Sequence, residues 1–247
     1  MYTVVQADKA AILPDHIPFT DGAVLPYAIE AAVCGLCVQE PGPCMPGVMT
    51  PALGMRYPSN QNYSSMAADR VLIVNGASSS VGSMATQIAT AAGINVIAIS
   101  GAQNFELARK SGASQVFDRR DPTLIAKIVE AVQNTELGFV GIFDAISTPE
   151  NYEQDLAILR NLGGGHLACT HPPPTEDVPS SVKTGMIFAI NDVVAPVFRG
   201  FVTPALQSGQ LKCLPEPTVV GRGLEFVNEA LKMSKAGVSA TKLVVEL

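Results

Sequence analysis

The segment best suited to chemistry is VLIVNGASSSVGSMATQIATAAG, Val71–Gly93. An apolar run leads into a tight turn of small residues and then directly into a helical pattern. Gly76 permits a sharp turn, Ala77–Ser80 carry no bulk, and Gly82 lets the helix start pack against the strand. The unpaired N–H groups at that helix start, at the positive end of its dipole, suit a pyrophosphate. The spacing is not a strict G-x-G-x-x-G. Small residues also occur in ordinary strand-to-helix turns, so the turn alone leaves plain packing open.

The end of the next apolar strand selects the cofactor. An acidic residue there binds the adenosine ribose hydroxyls of NAD. Here the run is Ile99-Ser100-Gly101-Ala102-Gln103-Asn104, without a carboxylate. Ser100, Gln103 and Asn104 could donate to a 2′-phosphate, and Arg119 could add charge. The plainer alternative makes these polar loop residues and Arg119-Arg120 a solvated pair. The balance favours NADP over NAD.

Other constellations read as ordinary structure. Cys34-x-x-Cys37, with Cys44 beyond, lacks the second pair that a structural zinc site needs, and reads as small core or boundary residues. No metal site is expected. His16, His166 and His171 are isolated in sequence; either of the last two could face the carboxyl ends of the strands, although surface histidine is the default. There is no G-x-S-x-G elbow. Asp118-Arg119-Arg120-Asp121 reads as a solvated turn holding one phosphate contact.

These residues need elements to position them. Strand patterns cover Arg70–Asn75, Asn95–Ser100, Gln115–Phe117, Val140–Ala145 and His166–Thr170. Helical patterns between them cover Ser80–Ala92, Asn104–Ser111, a helix capped by Asp121 with Pro122 first, and Asn151–Leu162. This alternation predicts an α/β fold with a doubly wound parallel sheet. Ahead of it stand a strand-like Tyr2–Ala7, a helix over 19–38 with Thr20 as N-cap, and a proline- and glycine-rich loop over 40–66, functional or mobile. Behind it come a strand over Met186–Ile190, helices near 196–208 and 224–235, and a last strand, Lys242–Glu246.

The chain has 247 residues, 47% hydrophobic and 15% charged, with net charge −6. This composition supports a large core and argues against a nucleic-acid partner. No apolar run has the length of a membrane helix, and no signal peptide is visible, so no membrane partner is expected. Five scattered cysteines suit reduced thiols in the cytoplasm.

Several blocks together resemble the zinc-independent medium-chain dehydrogenase/reductase superfamily, in its fungal trans-acting enoyl reductase branch. They are ADKAAILPDHIPFTDGAVLPYAIEAAVCGL, NGASSSVGS, NFELARKSGASQVFDRRDP, FDAIST and the final KLVVEL. The resemblance implies a Rossmann-type domain with a GroES-like catalytic domain, NADP(H) in the cleft between them, and hydride transfer to an activated double bond. By position it implies a phosphate turn at Ser78, Ser79, Ser80 and Val81, opened by Gly76. A 2′-phosphate loop falls on Gly101, Gln103 and Asn104 with Arg119. Ile146 and Ser147 fall near the nicotinamide side, and Val238 and Ser239 supply a late cofactor contact. Met186, Ile187, Phe188, Ala189 and Ile190 match a substrate-pocket stretch.

The chain departs from that family where Gly101, Gln103 and Arg119 replace its usual Ser, His and Tyr, and where Glu30-Ala31 replace a Ser-Thr pair. It also starts near the end of the family's catalytic domain. The expected division is a remnant of that domain over 1–18 with 237–247, the two pieces pairing, and a Rossmann-type domain over 19–236. Exposed cleft surface then suggests a homodimer. Two functions follow. One is an NADPH-dependent enoyl reductase acting on a polyketide-type or enone substrate, free or carrier-bound, with no catalytic side chain identified. The other is a non-redox relative, a cyclase or auxiliary binding protein for a polyketide-like ligand.

Overall fold

The computed structural model describes residues 4–60, 68–189 and 192–247. The chain begins with α1 (Phe19–Gly22) and α2 (Pro26–Leu36), then a hairpin of β1 (Pro43–Met45) and β2 (Val48–Met49). From Arg70, strands and helices alternate. They are β3 (Arg70–Asn75), α3 (Ser80–Ala91), β4 (Asn95–Ser100), α4 (Phe105–Lys110), β5 (Gln115–Asp118), α5 (Leu124–Gln133), β6 (Gly138–Asp144), α6 (Pro149–Asn161), β7 (Gly165–Cys169) and β8 (Val182–Met186). After them come α7 (Ala195–Gly200), α8 (Val202–Ser208), β9 (Pro217–Arg222), α9 (Val227–Ala236) and β10 (Lys242–Glu246).

β3 to β8 form one parallel sheet in the order β5-β4-β3-β6-β7-β8. The chain builds from β3 out to β5, then returns to lay β6 on the other side of β3. The crevice at the carboxyl ends of β3 and β6 is therefore the switch point, where open α/β sheets bind ligands. Side chains alternate across the sheet. Leu72, Val74, Val96 and Ala98 pack with α2, α3 and α8, whereas Val71, Ile73, Ile97 and Ile99 pack with α5 and α6. Both faces are covered, which is why these strands read as unbroken apolar runs. The doubly wound α/β expectation holds.

Several boundaries differ from the sequence expectation, each for a local reason. The stretch 19–38 is two helices, because Pro26 opens α2 and has no N–H to continue α1. Thr20 lies inside α1 and caps nothing; Pro18 stands at the cap position. The stretch Phe19–Leu36 is long and apolar enough to cross a membrane by composition, which corrects the expectation that no run is. Here Pro26 divides it, and Ile29, Val33 and Leu36 are buried beside α3. Asp121 does not cap α5. Its carboxylate accepts from the Thr123 amide at 2.8 Å, an Asx turn that delays the helix to Leu124.

The 40–66 segment is not simply a mobile loop. It contains the β1–β2 hairpin, and the amides of Gly54 and Met55 donate to Val38 and Leu36 at 2.9 Å, placing Leu53 and Met55 in the core. Its residues 61–66 lie outside the described residues. In the expected strand Tyr2–Ala7, the described residues Val4–Gln6 are not in a strand and Ala7 begins a 3-10 turn; Tyr2 and Thr3 lie outside the described residues. The last strand pairs in parallel with β9, which the sequence reading missed, and among the described residues not with the N-terminal stretch. α9 buries none of its side chains, leaving Leu231 exposed.

Candidate functional site at the switch point

At the end of β3 the backbone turns at Gly76, φ +77°, a left-handed conformation that favours glycine. The Ser79 amide closes the turn on the Gly76 carbonyl at 2.9 Å. Ser79 then caps α3, its Oγ accepting from the Gly82 amide at 3.0 Å. The Ser83 amide donates to the Ser79 carbonyl. The amides of Ser80 and Val81 stand in the first turn, where a helix offers no internal acceptor, so they are positioned for an anion. Ser79→Ala is expected to cost about 1 kcal/mol, lowering the melting temperature in calorimetry by roughly 2–4 °C.

A cavity of about 210 Å³ lies against this turn. Gly76, Ser78 and Ser79 line it from the turn; Gly101, Gln103 and Asn104 from the loop after β4; Arg119 from beyond β5; Ile146 from beyond β6; and Val238 and Ser239 from the segment before β10. Distant parts of the chain are thus brought together around one cavity. Asn104 ties three of them, its Nδ2 donating to Ser239 Oγ at 3.0 Å and Ser78 Oγ at 3.3 Å. The cavity also takes in Asn75, Ile99, Ser100, Asn151 and Ala240, and among the described residues no carboxylate lines it.

Ser80, Val81 and Ser147 do not line the cavity. Ser147, at φ +56°, is turned away. Its Oγ accepts from the Thr170 amide at 2.8 Å and donates to the Asp144 carbonyl at 3.2 Å, pinning the turn after β6 to the end of β7. Beneath that turn Asp144 Oδ1 accepts from the amides of Ile146 (2.9 Å) and Ser147 (2.8 Å).

The substrate-pocket stretch fares differently. Met186 ends β8, so the strand stops where the sequence reading began it. Ile187 is buried in the core beside α2, and Phe188 and Ala189 are half-buried. None of these lines the cavity. Ile190 lies outside the described residues.

Lys242, at the start of β10, was missed. Its Nζ lies 3.5 Å from Ser80 Oγ and 3.4 Å from the Val24 carbonyl, and burial lowers its pKa. The sequence showed only a polar residue opening a strand; nothing placed it beside α3. His166 sits near the amino end of β7, away from the crevice, and burial, with Lys183 nearby, lowers its pKa. His171 does follow the carboxyl end of β7 and is exposed. Burial pushes the Cys37 thiol up to about 12, with Cys34 adding to the shift. Among the described residues no three His, Cys, Asp or Glu side chains gather as a metal ion requires.

A family model described as zinc-binding dehydrogenase matches residues 80–193. Over its whole length the chain is 64% identical to dehydrogenase orsE of Emericella nidulans, spanning 70% of that protein, and 32% identical to trans-enoyl reductase himH of Aspergillus japonicus, spanning 68% of it. Among solved structures it superposes on the CurK enoyl reductase with TM-score 0.67 at 18% identity, over 96% of this chain and 65% of that one. A mycobacterial protein complexed with NADPH gives TM-score 0.60 at 20% identity, over 95% and 68%. A sheet ordered around β3, a glycine turn into α3 and these relatives agree: the chain belongs to the medium-chain dehydrogenase/reductase superfamily, among fungal dehydrogenases and trans-enoyl reductases.

Proposed function

We propose that this protein binds NADP(H) at the switch point and acts as an NADPH-dependent enoyl reductase on a polyketide-type or enone substrate. The observation that carries the reading is the cavity at the mouth of α3, walled by Ser78, Ser79, Gln103, Asn104 and Arg119 and, among the described residues, free of carboxylates. The Ser80 and Val81 amides would hold the diphosphate, with Lys242 adding charge. Arg119, Gln103 and Asn104 would hold the 2′-phosphate, which an acidic residue in their place would repel. The cofactor, once bound, supplies hydride chemistry. The chain's own residues bind and orient: Ile146 packs over Gly76, and Asp144 fixes the turn that carries Ile146. Relatives named trans-enoyl reductases support the reaction class, and the NADPH-bound neighbour supports the cofactor.

Replacing Lys242 by alanine is expected to weaken NADPH binding about tenfold, because one charge-assisted contact is lost. A fluorescence titration reads the change. The function itself is tested by mixing the protein and NADPH with enones and enoyl thioesters and following nicotinamide absorbance. Oxidation that depends on the protein supports the reductase; NADPH binding without turnover of any acceptor counts against it.

A second reading, a non-redox binding protein for a polyketide-like ligand, is favoured by a different cavity. It has about 510 Å³ and a mainly apolar wall, with Leu13, Phe19, Ile29, Phe198, Val202 and Leu206. Saturable binding of an apolar polyketide with no NADPH binding would select it.

A further inference from the structure

Below the cofactor cavity Asp144, which fixes the Ile146 turn, meets a second acid, Asp155, to which the binding reading gives no role. Asp144 ends β6 and Asp155 sits on α6; both are fully buried. The strand register sets Asn75 of β3 beside Asp144 of β6, and Cys169 of β7 on the other side. Asn75 Nδ2 donates to Asp155 Oδ1 at 2.9 Å. Asp144 Oδ1 accepts from the Ile146 and Ser147 amides. The remaining oxygen of each carboxyl, Oδ2, is buried and has no donor among the described residues.

Two carboxylates buried together would leave two uncompensated charges, which is far too costly. Among the described residues, the groups facing them supply no positive charge. From β3 comes Asn75, from α6 Tyr152 and from β7 Cys169. Tyr152 is held up at about 12 and the Cys169 thiol is raised further, both mainly by burial, so both are neutral at ordinary pH. A single proton shared between the two side chains, which hydrogen-bond to each other, resolves the arrangement.

We propose that Asp155 is a protonated acid donating its Oδ2 proton to Asp144, and that this shared proton is a latch positioning the floor of the cofactor cavity. The latch acts through two neighbours. Asn75, which lines the cavity, is held by Asp155. The Ile146–Ser147 turn, which places Ile146 in the cavity wall, is held by Asp144. Burial raises both acids, Asp155 well above the ordinary carboxylate range, in keeping with one retained proton. The proposal rests on the cofactor reading and adds regulation to it: alkaline pH removes the proton, forces a second buried charge and loosens the floor.

The sign follows from linkage. The unfolded chain releases this proton near the ordinary carboxylate range, about pH 4, while the folded chain keeps it. The folded state then binds more protons, so the latch's contribution is full below that range and is lost as pH rises through the raised folded value. Cofactor affinity follows the same direction.

Asp155→Asn tests this without removing either hydrogen bond, since its Oδ1 can accept from Asn75 and its Nδ2 can donate to Asp144. Asp155→Ala removes both. Wild type and both variants are compared by NADPH titration from about pH 6 to about pH 10 and by infrared spectroscopy at neutral pH. Lys242 titrates in every protein, so the ratio of wild type to Asp155→Asn isolates the acid pair. The expected result has three parts. A protonated-carboxyl band in wild type vanishes in Asp155→Asn. Wild-type affinity falls relative to Asp155→Asn by up to about tenfold per pH unit once the pair ionises. Asp155→Ala binds weakly at neutral pH whereas Asp155→Asn binds within about twofold of wild type. Absence of the band, or a flat ratio, overturns the latch. Failure of wild type and Asp155→Asn to bind NADPH at any pH overturns the cofactor reading and the positioning half with it, leaving the shared proton to be decided by the band.

Discussion

Gly82→Ala is expected to destabilise the protein by about 3 kcal/mol and to abolish NADPH binding, because overpacking a rigid contact costs up to that and sometimes more. A Cβ on Gly82 would collide with the Gly76 carbonyl oxygen and lie 2.8 Å from its carbon and 3.0 Å from Ala77 Cα. These are backbone atoms of the turn, held in place by the amides of Gly76 and Ala77 donating to Ile99 at 3.0 and 3.1 Å. No side chain can rotate away to make room. The helix must instead lift off the strand, carrying the Ser80 and Val81 amides from the cavity. For a chain of this size the melting temperature should fall by roughly 6–12 °C. An alanine variant that melts and binds like wild type would show that α3 does not depend on this close approach.

Arg119→Ala should separate the two nicotinamide cofactors. Arg119 is held at the cavity by its own amide, which donates to the Ser100 carbonyl at 2.9 Å, leaving the guanidinium to meet a phosphate. One charge-assisted hydrogen bond is worth about 1.5–3 kcal/mol, so NADPH affinity should drop roughly 10–100-fold. NADH lacks the 2′-phosphate and should bind wild type and variant alike. Parallel calorimetric titrations read both. An equal loss for the two cofactors would place Arg119 elsewhere than at the 2′-phosphate.

The parts of this molecule legible in its sequence are those governed by local rules. Residues Val71–Val74 and Val96–Ile99 are buried on both faces, so their apolar runs named a parallel sheet outright. The turn from Gly76 to Gly82 announced itself because backbone conformation and close approach restrict residue type there. The resemblance of NGASSSVGS and its neighbours to a family then placed Val238 and Ser239 at the cavity, which no local pattern could have done. What escaped depends on tertiary packing. Lys242 reaches Ser80 across 162 positions of sequence, and nothing near either residue records that approach. Ile187 follows a strand and looked like a pocket wall, yet packs into the core beside α2. β9 went unread because Pro217–Arg222, with its proline, glycine and arginine, has no strict alternation, and it forms only through its partner β10. Asp155 lies in a helix whose pattern gave no hint that an acid would be buried.

Every binding prediction above depends on a diphosphate resting on the first turn of α3. A crystal structure of the protein soaked with NADPH tests it most directly. Diphosphate density is expected within hydrogen-bonding distance of the Ser80 and Val81 amides, with the 2′-phosphate beside Arg119. Ordered NADPH located elsewhere, or an empty cavity at saturating cofactor, would contradict it.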